Sequence, residues 1–209
     1  MPLFKIVGRR VTTIELQNFL AYVENNEIYF NSELKKTEEI LRSMKYRDEL
    51  SDEEFDNVLD EAVDNHNFYN EVFPEIMRNS TLISLFSFFE NTLVSYCEKY
   101  KGSEKKLEDM NGGSTIDKVK KYIKEFINKE FDSNSKEWMF IKDLQKVRNC
   151  IVHQNSIIED SKHKKAIYNI IEKNSKLEIY KGKIIIREGY LEEAISNMRI
   201  YFNNFNEAL

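Results

Sequence analysis

The residues best suited to chemistry lie close together in the segment LQKVRNCIVHQNS, residues 144–156. Arg148 and Asn149 stand side by side there, and His153 follows after three intervening residues. An imidazole moves protons and a guanidinium stabilises negative charge, which are the two requirements of phosphodiester cleavage. On a helix, Asn149 and His153 share one face, whereas Arg148 and His153 are about 140° apart around the axis. We therefore expect Arg148 and His153 to converge only where the helix end meets another element, such as a second copy of this helix.

The spacing of apolar residues predicts a helix over residues 136–153 that carries this segment. Its end leaves His153 in the last turn, where the helix dipole favours a cation. The apolar positions expected to face the core are Trp138, Ile141, Leu144, Val147 and Ile151. A plainer interpretation of Arg148, Asn149 and His153 is a helix cap with a hydrogen-bonded histidine and a surface arginine.

A further candidate is Glu90, in the upstream segment LISLFSFFENTLVSYCEKY, residues 82–100. At about 100° per residue, the apolar residues of this segment form one arc of a helix, and Glu90 falls inside that arc or at its edge. A carboxylate in that position requires a partner. The alternative is a glutamate at the margin of a helical bundle whose carboxylate reaches solvent.

Other chemistries find little support in the sequence. It contains neither G-x-G-x-x-G nor G-x-x-x-x-G-K-[ST], the glycine-rich motifs that cradle phosphates. The three histidines and two cysteines do not follow the spacing of a metal site, so no metal ion and no cofactor are predicted. The acidic residues between 48 and 64 lie opposite an apolar stripe, which is typical of a solvated helix face.

The composition indicates a single, mostly helical domain of a soluble protein. Of 209 residues, 41% are hydrophobic and 12% aromatic, and only two Pro and six Gly interrupt the chain. The longest apolar stretch, residues 82–97, carries too many polar side chains to cross a membrane. Because the N-terminus does not resemble a signal peptide either, we expect a cytoplasmic location.

The net charge of −5 is unevenly distributed along the chain. Residues 1–98 contain 9 Lys and Arg against 19 Asp and Glu, whereas residues 99–209 contain 22 against 17. The basic second half includes lysine clusters at 118–124 and 162–165, which are suited to contact with a polyanion. Lysines that simply coat solvated helix faces are the alternative interpretation.

The remaining pattern predicts N-terminal helices over residues 1–72 and a motif-bearing bundle over residues 73–209. Leu177, Ile179 and residues 184–186 flank Lys181-Gly182, which predicts a β-hairpin near residues 177–187. Residues 190–209 return to the helical period. The positions expected to begin, interrupt or end helices are Thr12, Asn25–Asn26, Ser51, Pro74, Gly102, Thr115 and Asp160.

The R-N-x-x-x-H pattern of Arg148, Asn149 and His153 resembles the motif of the HEPN superfamily (higher eukaryotes and prokaryotes nucleotide-binding domains). The apolar residue before the arginine and the Ile-Val pair before the histidine are typical of that family. So is an aromatic residue followed by a glutamate, here Glu90, on a long preceding helix. The closing hairpin and helix resemble those of small phage-defence or toxin-type HEPN proteins. The resemblance covers residues from about 75 to 209 and implies a HEPN-like helical bundle.

The resemblance implies a metal-independent endoribonuclease of toxin or antiviral-defence type. Such enzymes use the 2′-hydroxyl of the RNA to attack the adjacent phosphate, which leaves a 2′,3′-cyclic phosphate and a 5′-hydroxyl. His153 is then the general acid or base, Arg148 stabilises charge in the transition state, and Asn149 orients a phosphate or His153. Glu90 is implied as the partner of Arg148. The family builds its site between two protomers, so a homodimer is implied as well.

Two other functions are compatible with the same residues. The first is a non-catalytic HEPN-like module that dimerises and binds a partner or a nucleotide, although such family members tend to have lost the arginine or the histidine. The second is a toxin subunit that a separate antitoxin of the nucleotidyltransferase type holds inactive.

Overall fold

The computed structural model describes residues 3–43, 51–99, 105–111, 113–128 and 131–208. This part of the chain is mostly helical and contains one antiparallel hairpin, which confirms the prediction of a mostly helical fold with one β-hairpin. None of its helices is both long and apolar enough to cross a membrane. The elements are α1 (Leu3–Ser43), α2 (Asp52–Asn67), α3 (Phe73–Glu98), α4 (Thr115–Tyr122), α5 (Lys136–Gln154), α6 (Lys164–Lys173), β1 (Leu177–Tyr180), β2 (Lys183–Ile186) and α7 (Tyr190–Ala208).

Short irregular turns of helix join several of these elements. A π-helical turn, Phe68–Val72, leads from α2 into α3, and Pro74 lies in the first turn of α3 as predicted. A 3₁₀ turn, Leu107–Asp109, precedes α4, and a second π-helical turn, Ile123–Ile127, extends it.

The predicted helix starts at Ser51 and Thr115 are confirmed. Ser51 and Glu54 form a capping box, in which the Ser51 hydroxyl accepts from the Glu54 N–H at 3.3 Å and the Glu54 carboxylate accepts from the Ser51 N–H at 3.0 Å. Ser114 and Asp117 repeat this arrangement ahead of Thr115. Each box satisfies backbone donors that the first turn of a helix leaves without a partner.

Three sequence-based expectations about helix ends are wrong. Thr12 lies inside α1, where the preceding turns supply carbonyl partners and no N-cap is needed. Helix α1 also continues through residues 25–26, and the Asn26 side chain donates to the Tyr22 carbonyl at 2.7 Å. Asp160 is exposed and does not cap α6, which begins after His163. The predicted stop at Gly102 falls outside the described residues.

The core is built around α3, and the predicted apolar arc is buried from Leu82 to Leu93 and at Cys97. Tyr96 is only partly buried, and Tyr100 falls outside the described residues. Helices α1, α4, α5 and α7 pack against α3. All five apolar positions predicted for the core face of α5 are buried as well. The largest arc residues that are at most 1% exposed are Leu82, Leu85, Phe86, Phe89 and Leu93.

A buried ion pair ties α1 to α3. The Arg78 guanidinium donates through Nε and Nη2 to the two carboxylate oxygens of Glu27, each at 2.7 Å. Its Nη1 donates to the carbonyl of Ile186 in β2 at 3.2 Å. Glu27 and Arg78 are 51 positions apart, so no sequence spacing indicated the contact. Through Arg78, the helices and the hairpin are fixed relative to one another.

The hairpin forms in the predicted place. Leu177 pairs with Ile186 and Tyr180 with Lys183, around the two-residue turn Lys181-Gly182. Both turn residues have positive φ, 49° and 78°, which is the backbone geometry of a type I′ turn and suits glycine at the second position. Strand β2 is largely buried, whereas most of β1 is exposed.

Candidate active site

Helix α5, which carries the R-N-x-x-x-H segment, is capped at both ends. The Ser135 hydroxyl accepts from the N–H of Trp138 at 3.3 Å and begins the helix. The helix ends at Gln154, and Asn155 follows in the left-handed conformation with φ of 49°. His153 therefore lies in the last turn, as the sequence predicts.

The turn that follows α5 is tied to the hairpin by backbone hydrogen bonds. The carbonyl of Ser156 accepts from the N–H of Ile184 at 3.0 Å. The carbonyl of Gly182 accepts from the N–H of Ile158 at 3.1 Å. Because these bonds begin three residues after His153, the hairpin fixes the helix end on which the histidine stands.

Arg148 is partly buried between α5 and α3. Its Nη1 donates to Oδ1 of the neighbouring Asn149 at 3.0 Å. Its guanidinium carbon lies 5.8 Å from the centre of the Phe86 ring, within cation–π range. Its Nε is buried and has no hydrogen-bond partner among the described residues. The contacts that hold this guanidinium are thus the hydrogen bond to Asn149 and the packing against the Phe86 ring.

Glu90 lies at the edge of the apolar arc of α3 and is partly buried. Burial raises the pKa of its carboxyl, and the positive charges of Arg148 and Lys142 partly offset that rise. Among the described residues, no hydrogen bond or ion pair joins Glu90 to Arg148. The two groups thus lie within electrostatic range of each other without direct contact.

His153 is set apart from the other candidates within one chain. Its side chain is exposed, whereas that of Arg148 packs towards Phe86 on α3. Within the part of the chain that the structure describes, no hydrogen bond links His153 to Arg148, Asn149 or Glu90. One chain therefore brings together Arg148, Asn149 and Glu90 and leaves His153 on the solvent side.

Two residues of this region were not predicted as site residues. Phe86 lies one helical turn before Glu90 and offers its ring to Arg148. The four-residue spacing between Phe86 and Glu90 predicts that both lie on the same side of α3, so the sequence does contain this signal. Lys142 adds a second positive charge near Glu90. The approach of Lys142 to Glu90 depends on how α3 and α5 pack together, and the periodicity of the sequence does not predict that packing.

A comparison with protein-family models, curated proteins and solved structures finds no match to this chain. Among the described residues, no three His, Cys, Asp or Glu side chains are grouped as a metal ion requires.

Proposed function

We propose that this protein is a metal-independent endoribonuclease of toxin or antiviral-defence type that acts in the cytoplasm. It cleaves RNA by attack of the 2′-hydroxyl on the adjacent phosphate. The phosphate then carries a 2′,3′-cyclic ester, and the 5′-oxygen leaves with a proton as a 5′-hydroxyl. This transfer needs a proton acceptor, a proton donor and a stabiliser of the extra negative charge.

Each group of the site has a role in this reaction. His153 is exposed in the last turn of α5, where its imidazole is accessible to RNA as general base or acid. Arg148 stabilises the transition-state charge through its guanidinium donors. Asn149 accepts from Arg148 at 3.0 Å and orients it. Glu90 is a positioning residue that balances the charge of Arg148 without a direct ion pair.

The observation that carries the proposal is the opposite orientation of Arg148 and His153 on one helix. Arg148 packs towards α3 and His153 faces solvent, and no hydrogen bond joins them among the described residues, so we place their meeting on one phosphate between two chains. A two-fold axis beside α5 would bring Arg148 of one protomer next to the histidine of the other. A homodimer with a composite site is therefore part of the proposal.

Analysis of the cleavage products tests this function. The wild-type protein is incubated with end-labelled single-stranded RNA in excess EDTA, and the new ends are identified. We expect cleavage with 2′,3′-cyclic phosphate and 5′-hydroxyl ends. Cleavage that requires added magnesium or manganese, or that leaves a 3′-hydroxyl, would contradict the proposed mechanism.

A non-catalytic module that dimerises and binds a nucleotide or a partner is the second candidate. The contacts of Arg148 favour it, because a guanidinium that donates to Asn149 and packs on Phe86 suits a structural role as well as a reacting one. Nucleotide binding by a wild-type protein that leaves RNA intact would support this candidate. A nucleotidyltransferase-type antitoxin is compatible with either function, and co-purification with the product of a neighbouring gene would identify it.

A further inference from the structure

The tip of the hairpin combines an exposed aromatic ring with two lysines. Tyr180 is 54% exposed at the end of β1. The ammonium of Lys181 lies 5.0 Å from the centre of the Tyr180 ring. Lys183 is the cross-strand partner of Tyr180, which puts the two side chains on the same face of the hairpin. Ring and positive charges therefore occupy one small surface, which we name the hairpin tip (Tyr180, Lys181 and Lys183).

The charges of the hairpin tip are available to a ligand. Within the described part of the chain, neither Lys181 nor Lys183 forms an ion pair. The nearest acidic residue on β1, Glu178, is already bound by Arg187 at 2.7 Å. Lys181 and Lys183 give the hairpin tip two formal positive charges that no acid of the described residues pairs, in a chain of net charge −5. This surface therefore favours a polyanion.

The hairpin tip is also rigidly connected to the candidate active site. Gly182, at the centre of the turn, accepts a hydrogen bond from Ile158 at 3.1 Å. The next residue after Lys183 donates to Ser156 at 3.0 Å, three residues beyond His153. A ligand held by the hairpin tip is thus held at a fixed place relative to the end of α5.

We propose that the hairpin tip is the binding element for single-stranded RNA, with a base stacked on Tyr180 and phosphates bound by Lys181 and Lys183. This inference rests on the proposed function, because it supplies that function with its substrate-binding surface. An unpaired base has a free face to stack on a tyrosine, whereas the bases of a duplex are stacked on each other. The phosphates that flank the base meet the ammonium groups at the same time. Single strands are therefore the preferred form of the substrate.

Binding is measured on protein that carries His153→Ala, so that cleavage does not interfere. The probe is a fluorescein-labelled oligouridylate, followed by fluorescence anisotropy, with a duplex of the same length as competitor. We expect Tyr180→Ala to weaken binding roughly tenfold, since stacking on an aromatic side chain is lost. Tyr22→Ala is the matched control, because Tyr22 is 52% exposed on α1, and we expect it to bind as tightly as the parent.

The lysines are tested separately through the dependence of binding on salt. Lys181→Gln combined with Lys183→Gln replaces both ammonium groups by neutral amides and keeps the first two methylenes of each side chain. We expect the slope of log K against log salt to become shallower by about 1.4, since each phosphate contact on a single strand contributes about 0.7. Lys35→Gln combined with Lys36→Gln, two exposed lysines of α1, is the control and should leave the slope unchanged.

These outcomes separate the inference from the proposed function. Wild-type cleavage together with unchanged RNA binding by the hairpin-tip variants would overturn the inference alone. Equal affinity for duplex and single strand would overturn it too, as would no RNA binding by the parent. Weakened binding in the hairpin-tip variants supports the inference whether or not the wild-type protein cleaves RNA.

Discussion

We expect the ionised carboxylate of Glu90 to lower the stability of the folded protein at neutral pH, because burial raises the pKa of its carboxyl. The folded state then binds this proton more tightly than the unfolded state does. The contribution of Glu90 to the free energy of unfolding therefore falls as the pH rises from the ordinary carboxyl pKa through the raised pKa of the folded state. We expect Glu90→Gln to melt at or above the wild-type temperature at neutral pH. This advantage should vanish below the ordinary carboxyl pKa, as measured by thermal denaturation across a pH series.

The same variant should lose RNA cleavage although it keeps its stability, because an amide cannot balance the charge of Arg148. Glu98→Gln is the control, since Glu98 is exposed at the end of the same helix and should change neither property. A Glu90→Gln protein that cleaves RNA at the wild-type rate would show that this carboxylate only marks the margin of the bundle.

The sequence predicts the types and the spacing of the site residues but not all of their surroundings. The positions of Arg148, Asn149 and His153 on α5 follow from helical periodicity, and so does the edge position of Glu90 on α3. The contact of Arg148 with Phe86 does not, because it depends on which turns of two helices face each other. The packing of the whole core determines which turns of α3 and α5 face each other.

At the scale of elements, the end of α5 depends on a strained backbone conformation. Asn155 adopts a φ of 49° there, and Asn128 adopts a φ of 52° at the end of the α4 extension. We expect Asn155→Ala and Asn128→Ala each to lower the free energy of unfolding by about 1 kcal/mol, because alanine tolerates the left-handed region poorly. Glycine at either position should restore stability, as measured by urea denaturation.

The two asparagines differ in what their turns hold in place. Only the turn at Asn155 supports His153 and continues into the hydrogen bonds with the hairpin. Asn155→Ala should therefore reduce RNA cleavage, and Asn128→Ala should not. Equal effects of the two variants on cleavage would argue against the hairpin as the support of the site.

Contacts between residues close in sequence can be predicted from the sequence, whereas contacts between distant segments cannot. The capping box of Ser51 and the turn at Lys181-Gly182 were predictable, since their partners lie within a few residues. The capping-box spacing at Thr12 wrongly predicted a helix start, because the same residue types at the same spacing also occur inside a continuous helix. The pairing of Glu27 with Arg78 joins distant segments and has no local signature.

The buried Glu27–Arg78 pair leads to a prediction of its own. Glu27→Ala leaves the Arg78 guanidinium buried without its carboxylate, so we expect a loss of about 3–5 kcal/mol in the free energy of unfolding. Glu27→Leu combined with Arg78→Met should recover most of that loss. Glu38→Ala is the control, because it breaks an exposed pair on α1 and should cost less than about 1 kcal/mol. A small effect of Glu27→Ala would contradict the proposed anchoring of α1.

At the scale of the whole molecule, the composite site requires two chains. Light scattering should give a mass of about 50 kDa, twice the 24.9 kDa of one chain. Co-expression of differently tagged Arg148→Ala and His153→Ala chains yields a heterodimer in which one of the two sites keeps both groups. We expect this heterodimer to recover about half of the wild-type activity, while each parent homodimer stays inactive. An inactive heterodimer would show that the site lies within one chain.

If Arg148 and His153 carry out RNA cleavage, the rates of their alanine variants in excess EDTA must fall. Each single variant should lose about 10²–10⁴-fold in rate, and the double variant should lose less than the product of the two. Circular dichroism and dimer mass should stay at wild-type values, because neither residue belongs to the buried core. His163→Ala, an exposed histidine outside α5, is the control and should cleave normally. Wild-type rates in both single variants would show that neither residue takes part in RNA cleavage.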